Sequence, residues 1–241
     1  MNSKELSDFL DNTRAYLMQQ RDLFGDTVHT GDSARKPASG EKLPDVPGEP
    51  WVNAASPAEL YDRIHECLKC ALGQTRKMFV FGTGNQRADV MFIGEAPGAD
   101  EDAKGEPFVG RAGQLLNKII EAVGMKREEV YICNILKCRP PNNRDPLPSE
   151  METCSPYLLK QIDLLKPKFI ICLGRISAQW LLRTSESLSA LRGRTHEFRG
   201  SSLIVTYHPA ALLRNPAWKR PAWEDMKMFK ELYENGKKQE A

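Results

Sequence analysis

The 241 residues contain six cysteines, and four of them are spaced in ways that suggest chemistry. Cys67 and Cys70 form HECLKC, a C-x2-C unit. Cys138 and Cys154 open and close the polar stretch CRPPNNRDPLPSEMETC. Cys133 and Cys172 lie instead inside the apolar runs YICNI and FIICLG, where a thiol serves as a small buried hydrophobe. Three chemistries compete for the first four. A redox pair needs a strand-then-helix context around C-x2-C, and HECLKC lacks it. Zinc takes four thiolates but usually from two tight pairs, and C-x15-C is loose. An iron–sulfur cluster also takes four thiolates and tolerates irregular spacing. Spacing alone leaves zinc and cluster open.

A metal centre would explain the loop between Cys138 and Cys154. That loop has no apolar run from which to build a core. Pinned at both ends by one centre, it can present Arg139, Asn142, Asn143 and Arg144 to a ligand without packing of its own. The centre's role is then structural, since the sequence shows no electron partner.

These residues need a scaffold. ADVMFIG (88–94), VYICNIL (130–136), KFIICLG (168–174) and SLIVTYH (202–208) read as buried strands. GRAGQLLNKIIEAVG, SEMETCSPYLLKQIDLLK and RISAQWLL read as the helices between them. Alternating strand and helix predicts an α/β fold with a mostly parallel sheet and helices on both faces. Function in such sheets gathers at the carboxyl ends of the strands. Three unusual segments fall there: GEAPG after the first strand, NILKCRPP after the second and YHPAALLR after the fourth.

The domain is expected over residues 56–241, opening at SPAELYDRIHECLKC with Ser56 as N-cap and Pro57 at the first helical position. Residues 1–24 read as an N-terminal amphipathic helix, with Leu6, Phe9, Leu10, Tyr16, Leu17 and Leu23 at helical spacing. Such a helix suits docking on the domain or binding a protein partner. Residues 25–55, rich in Gly, Pro, Ser and charge, read as a flexible linker.

Composition is that of an ordinary globular protein, 41% hydrophobic and 27% charged with a net charge of +2. The charge is uneven. Residues 1–66 carry seven Lys/Arg against twelve Asp/Glu, and residues 137–223 carry fourteen against six. A basic C-terminal half fits a polyanion and fits a merely solvated face equally well. The first twenty residues have no apolar core, and no run approaches the ~18 apolar residues of a membrane span. A cytoplasmic location is expected, with thiols kept reduced and no disulfide frame.

Taken together and in order, C-x2-C, GEAPGADED, PFVGRAGQLL, YICNILKCRPPNNR with its partner cysteine, and YHPAALLR resemble the family 4 (iron–sulfur) uracil-DNA glycosylases. The resemblance runs from about residue 60 to residue 232 and leaves the first 55 residues outside. It implies a three-layer α/β/α fold with a central four-stranded, mostly parallel sheet. It implies a [4Fe–4S] cluster on Cys67, Cys70, Cys138 and Cys154. Finally, it implies uracil-containing DNA as partner, single- or double-stranded, and a monomer that hydrolyses the N-glycosidic bond, leaving an abasic site for base excision repair.

The roles follow from that chemistry. A glycosylase must extrude its base before reaching the bond to the sugar. Cleavage leaves negative charge on the uracil ring, largely at O2, where His208 is expected to donate a hydrogen bond. The Asn134 amide, both donor and acceptor, is expected to read the O4 and N3–H edge. Phe108 is expected to stack on the extruded base. In the GEAPG turn the resemblance gives Glu95 the attacking water, and Ala96 and neighbouring backbone a contact with uracil. The better-known family 1 has an aspartate and then a tyrosine in this turn, so the barrier to thymine's methyl must be built elsewhere here. Asp100, Glu101 and Asp102 are alternative acids, better suited to capping. Leu212 or Leu213 is expected to wedge into the vacated stack. Arg214, Lys219 and Arg220, with Arg139 and Arg144, are expected to hold phosphates, with a further contact at the N-terminus of the GRAGQLL helix. Residues 139–153 contain no histidine, so the chain lacks the group that bonds covalently to the uracil site in a related class. A non-catalytic, metal-stabilised DNA-binding module is the competing reading; it would not need Asn134 and His208 together.

Overall fold

The computed structural model describes residues 48–240. The helix expected over 1–24, and the linker up to residue 47, lie outside the described residues.

Four apolar runs form the parallel centre of one sheet: β2 (Val90–Gly94), β3 (Tyr131–Asn134), β4 (Phe169–Leu173) and β6 (Ser201–Thr206). Two short antiparallel strands, β1 (Thr83–Gly84) and β5 (Thr195–Phe198), extend its edges. The order is β1-β3-β2-β4-β6-β5. The four expected strands are therefore the core of a six-stranded sheet. The added pair escapes sequence reading for physical reasons. β1 is two residues long, and β5 alternates exposed and half-buried positions, as edge strands do.

In chain order the helices are α1 (Pro57–Ile64), α2 (Ala71–Thr75), α3 (Ala99–Lys104), α4 (Arg111–Ala122), α5 (Pro148–Leu165), α6 (Arg175–Leu182), α7 (Leu188–Leu191), α8 (Pro209–Arg214) and α9 (Lys219–Glu240). Ser56 caps α1 as expected: its Oγ accepts from the Glu59 N–H at 3.1 Å. The segment after His208 begins as helix α8.

Successive strand residues face opposite sides, which divides the core in two. On β2, Met91 and Ile93 join Leu60, Ile64, Leu158 and Trp180 on one face. Val90 and Phe92 join Leu116, Ile120, Met226 and Phe229 on the other. Helices on both faces of the sheet make the three layers. Trp51 is also buried, edge-on to Tyr157 at 5.0 Å, so packing reaches into the end of the segment expected as linker.

Candidate active site

The parallel register sets the site. Gly94 ends β2 directly beside Asn134, which ends β3. The ladder runs on into the turns, with the Ile135 N–H on the Gly94 carbonyl and the Leu136 N–H on the Glu95 carbonyl. Asn134 is 1% exposed, and its Oδ1 has no hydrogen-bond partner. A buried amide oxygen left unpaired costs roughly 1–3 kcal/mol, so such an atom asks for a ligand that donates to it. A Cβ at Gly94 would strike that same Oδ1 and lie 2.7 Å from Phe108 Cζ. Glycine is needed here because the backbone must leave room between an amide and an aromatic ring.

Phe108 is buried and holds a left-handed backbone, φ 54°. Such a conformation is costly for a bulky residue and persists only when its surroundings impose it. The brace is Glu101 on α3, whose Oε1 accepts from the Val109 and Gly110 N–H groups at 2.9 and 3.0 Å. Its other oxygen accepts from the Gly98 N–H at 3.1 Å. One carboxylate thus ties the GEAPG turn to the Phe108 loop. It also occupies the Val109 and Gly110 N–H groups that lead into α4. Asp102 is buried and accepts from the Lys77 N–H at 2.9 Å. Glu101 and Asp102 are capping and bracing groups, as their sequence context suggested.

His208 follows the end of β6 and approaches Phe108. Its ring lies 5.4 Å from that of Phe108, tilted by 34°. Asn134 and His208 therefore both lie close to one aromatic ring. At Gly174 φ is 100°, and a Cβ there would stand 3.0 Å from that of His208, so the turn after β4 also requires glycine. His208 is the N-cap of α8: the Ala210 N–H donates to its Nδ1 at 3.1 Å. An accepting Nδ1 puts the ring proton on Nε2. Burial, with the Arg214 charge adding to it, drives the histidine pKa down to about 4. The imidazole is neutral at physiological pH, with Nε2–H as its donor.

Glu95 is partly buried at the end of β2, with Ala96, also partly buried, beside it. Burial, with the Asp145 carboxylate adding to it and the Arg175 guanidinium opposing both, raises the Glu95 pKa to about 7. Asp145 and Arg175 face each other at 3.6 Å. Sequence reading missed both. Their signal was positional: Arg175 opens a helix after the strand-ending Gly174, and Asp145 lies in the pinned loop.

The four cysteines expected as metal ligands lie within electrostatic reach of one another. The Cys138 thiol feels those of Cys67 and Cys70, and the Cys154 thiol feels those of Cys138 and Cys70. Burial pushes Cys138 up to about 11 and Cys154 up to about 12. Donors nevertheless converge on the sulfurs. Arg76 Nη1 reaches Cys138 Sγ at 3.4 Å, the Lys137 N–H reaches Cys154 Sγ at 3.3 Å, and the Tyr157 hydroxyl lies 3.3 Å from Cys67 Sγ. Hydrogen-bond donors and a cation around four gathered thiols suit thiolates bound to metal. Among the described residues no three His, Cys, Asp or Glu side chains are grouped closely enough to hold a single metal ion. Four thiolates on one zinc would stand about 3.8 Å apart, given Zn–S bonds of about 2.3 Å. Cys133 and Cys172 are buried inside β3 and β4.

Lys137 was not anticipated. It is fully buried, and its Nζ donates to the Asn134 carbonyl at 2.7 Å and to Gln161 Oε1 at 2.6 Å. Gln161 in turn donates to the Phe81 carbonyl and the Tyr131 hydroxyl, each at 3.1 Å. The strand end that carries Asn134 is thus tied to the cysteine side of the molecule.

Helix α8 separates the two leucines. Leu212 is 2% exposed and packs inward, whereas Leu213 is 38% exposed. Leu212 is therefore not the wedge. Arg214, Lys219 and Arg220 are exposed. Arg139 is partly exposed and donates to Asn143 Oδ1 at 2.8 Å. Arg144 differs from the expectation: its two terminal nitrogens grip Glu150 at 2.9 and 2.6 Å, which fastens the loop onto α5 instead of leaving the charge free.

Comparison with known proteins places this arrangement in a class. The family model of the Uracil DNA glycosylase superfamily matches residues 81–227. A type-4 uracil-DNA glycosylase of Archaeoglobus fulgidus is 44% identical over 189 residues, covering 75% of this chain and 94% of that protein. One from Saccharolobus solfataricus is 48% identical over 179 residues, covering 70% and 83%. A type-5 uracil-DNA glycosylase of Pyrobaculum aerophilum is more distant, 28% identical over 146 residues. The chain belongs to the uracil-DNA glycosylase superfamily, among the type-4 enzymes.

Proposed function

We propose that the protein excises uracil from DNA by hydrolysing its N-glycosidic bond, releasing uracil and leaving an abasic site for base excision repair. The observation that carries this reading is the buried, unpartnered Asn134 Oδ1 beside Phe108 and Gly94. Uracil presents an N3–H donor to such an oxygen and its O4 accepts from the amide NH2. Cytosine presents an acceptor at N3 and a donor at position 4, and a fixed amide repels both. A DNA-binding module without catalysis would have no use for that oxygen.

The steps assigned to this chain are these. Arg214, Lys219, Arg220 and Arg139 hold phosphates, and Leu213 fills the gap left by the extruded nucleotide. The base stacks on Phe108 beside Ala96 and is read by Asn134. As the bond from N1 to the sugar breaks, its electron pair passes into the ring. His208 Nε2–H, neutral and fixed by its cap, donates to O2 where that charge gathers. Glu95 orients a water toward the sugar carbon and takes its proton, completing the hydrolysis. With its pKa raised to about 7, the carboxylate is a stronger base than an ordinary glutamate and still ionises near neutrality.

The same reading assigns a [4Fe–4S] cluster to Cys67, Cys70, Cys138 and Cys154. When bound, it supplies a cross-link between the segment after α1, the end of β3 and α5. No helix among the described residues is long and apolar enough to cross a membrane. A cytoplasmic monomer, with residues 1–24 as a possible site for a protein partner, completes the proposal.

Anaerobically purified protein should be brown, absorb broadly near ~400 nm and carry about four irons per chain. It should nick a uracil-containing oligonucleotide after alkali and leave the cytosine control whole. A colourless zinc protein removes the cluster. Absence of nicking on both single- and double-stranded substrates removes the enzyme.

A further inference from the structure

One aromatic column stands outside the machinery described so far. Tyr207 immediately precedes His208. Its ring stacks on Trp218 with centroids 5.0 Å apart and planes 21° from parallel. The Arg192 guanidinium lies 4.2 Å from the centre of the same phenol ring. Two planar groups this close cannot share one face of a ring, so Tyr207 is sandwiched between them. Arg192 is itself fixed. Its Nε donates to Asp225 Oδ2 at 2.7 Å and its Nη2 to the Pro221 carbonyl at 2.5 Å, and Asp225 is 2% exposed. The column thus rises from a buried ion pair through Arg192 and Tyr207 to an indole that is 40% exposed.

A large aromatic side chain left in solvent gives up the benefit of burial, and this one is held rigid as well. Trp218 sits in the single 3-10 turn Pro216–Trp218, with its N–H on the Asn215 carbonyl at 3.1 Å. Residues 213–220 are all exposed. They include the wedge candidate Leu213 and the cations Arg214, Lys219 and Arg220. An exposed, braced π-face ringed by cations fits a base on a polyanionic strand better than it fits an apolar protein surface.

We propose that Trp218 is a stacking platform for an unpaired nucleobase next to the extruded uracil. The enzyme then grips single-stranded DNA by a base as well as by phosphates. The platform rests on the glycosylase reading above and adds a ligand site to it. It is sequence-tolerant, since every base has a π-face. It also bears on the chemistry through one peptide bond: a base seated on Trp218 loads Tyr207, and Tyr207 is joined to His208.

The test uses the holoenzyme and single-stranded oligonucleotides with one uracil and, at each neighbouring position in turn, either a thymine or an abasic spacer. The wild type should bind the spacer oligonucleotide about ten- to a hundredfold more weakly when the spacer lies on one particular side, and be indifferent on the other. Trp218→Ala should lose a similar factor on the all-thymine strand, chiefly in KM, and be indifferent to the spacer on either side. Trp218→Phe should restore most of the affinity. Indole fluorescence of the wild type should be quenched by uracil-free oligothymidylate, and less so in Trp218→Phe. Equal affinity of the wild type for spacer and thymine strands on both sides overturns the platform, whether or not any variant folds. So does a Trp218→Ala enzyme that stays spacer-sensitive. Failure of the glycosylase reading would look different: the wild type would bind these strands and release no uracil from any of them.

Discussion

Replacing Glu95 by glutamine tests whether the site carries a carboxylate held against its own stability. The raised pKa, from 4.5 to about 7, means that the folded protein binds a proton there more tightly than the unfolded chain does. Between those two values the native state holds the proton and the unfolded state has lost it. Stability therefore falls as pH rises through this window, and above about pH 7 the full cost remains. At about 1.4 kcal/mol per pKa unit the cost reaches about 3.5 kcal/mol, an upper bound for a group that keeps some contact with solvent. Glu95→Gln abolishes the titration. In urea unfolding under anaerobic conditions, the variant's advantage over the wild type should grow by about 2–3 kcal/mol between roughly pH 5 and pH 8.5. Single-turnover excision should move the other way. The wild-type rate should rise with pH around a midpoint near 7, and the variant should be slow and flat. Parallel stability curves for the two proteins, or a wild-type rate that does not change between pH 6 and 8, would refute the reasoning. Asp145→Asn adds a directional check, since removing the neighbouring carboxylate should shift the midpoint to lower pH.

Other outcomes follow from the same geometry. Asn134→Ala should cost about a hundredfold or more in kcat/KM for uracil, read by steady-state excision, because both edge contacts are lost. His208→Ala should lower kcat by about 10²–10³ and leave the midpoint of the pH–rate profile in place, since a histidine near pKa 4 does not titrate in that range. The two leucines should separate cleanly. Leu212→Ala should destabilise by about 2–5 kcal/mol in denaturant, while Leu213→Ala should leave stability within about 0.5 kcal/mol and weaken excision from duplex substrate.

The parallel strands were legible because both of their faces are buried. VMFIG and FIICL are continuous apolar runs that need only length and flanking glycine to be read. β5, with one face in solvent, and the two-residue β1 offered no such run. In the site, Asn134 and His208 were visible as polar residues at strand ends. That both lie close to Phe108 depends on register between strands far apart in sequence, which no local pattern encodes. The same holds for Arg175 and Asp145, whose influence on Glu95 is purely tertiary. Leu212 and Leu213 are adjacent and alike, so only the helical phase of α8 decides which one packs. Arg144 misled because a cation in a polar loop looks the same whether it meets a phosphate or Glu150.

The distance along the chain from Asn134 to Cys138 has a consequence for how this molecule can change. Three residues separate the amide from the thiol, and the last of them, Lys137, is fixed by its contacts to the Asn134 carbonyl and Gln161. Inserting or deleting one residue there would throw either the amide or the sulfur out of place. The stretch from Cys138 to Cys154 is free of such a constraint only at residues 141–143, which are exposed, because Arg144 is held by Glu150 and Met151 packs in the core. Natural or engineered length variation should accumulate between residues 141 and 143 and be refused between 135 and 137. A library of single-residue insertions scored for uracil release would expose that boundary.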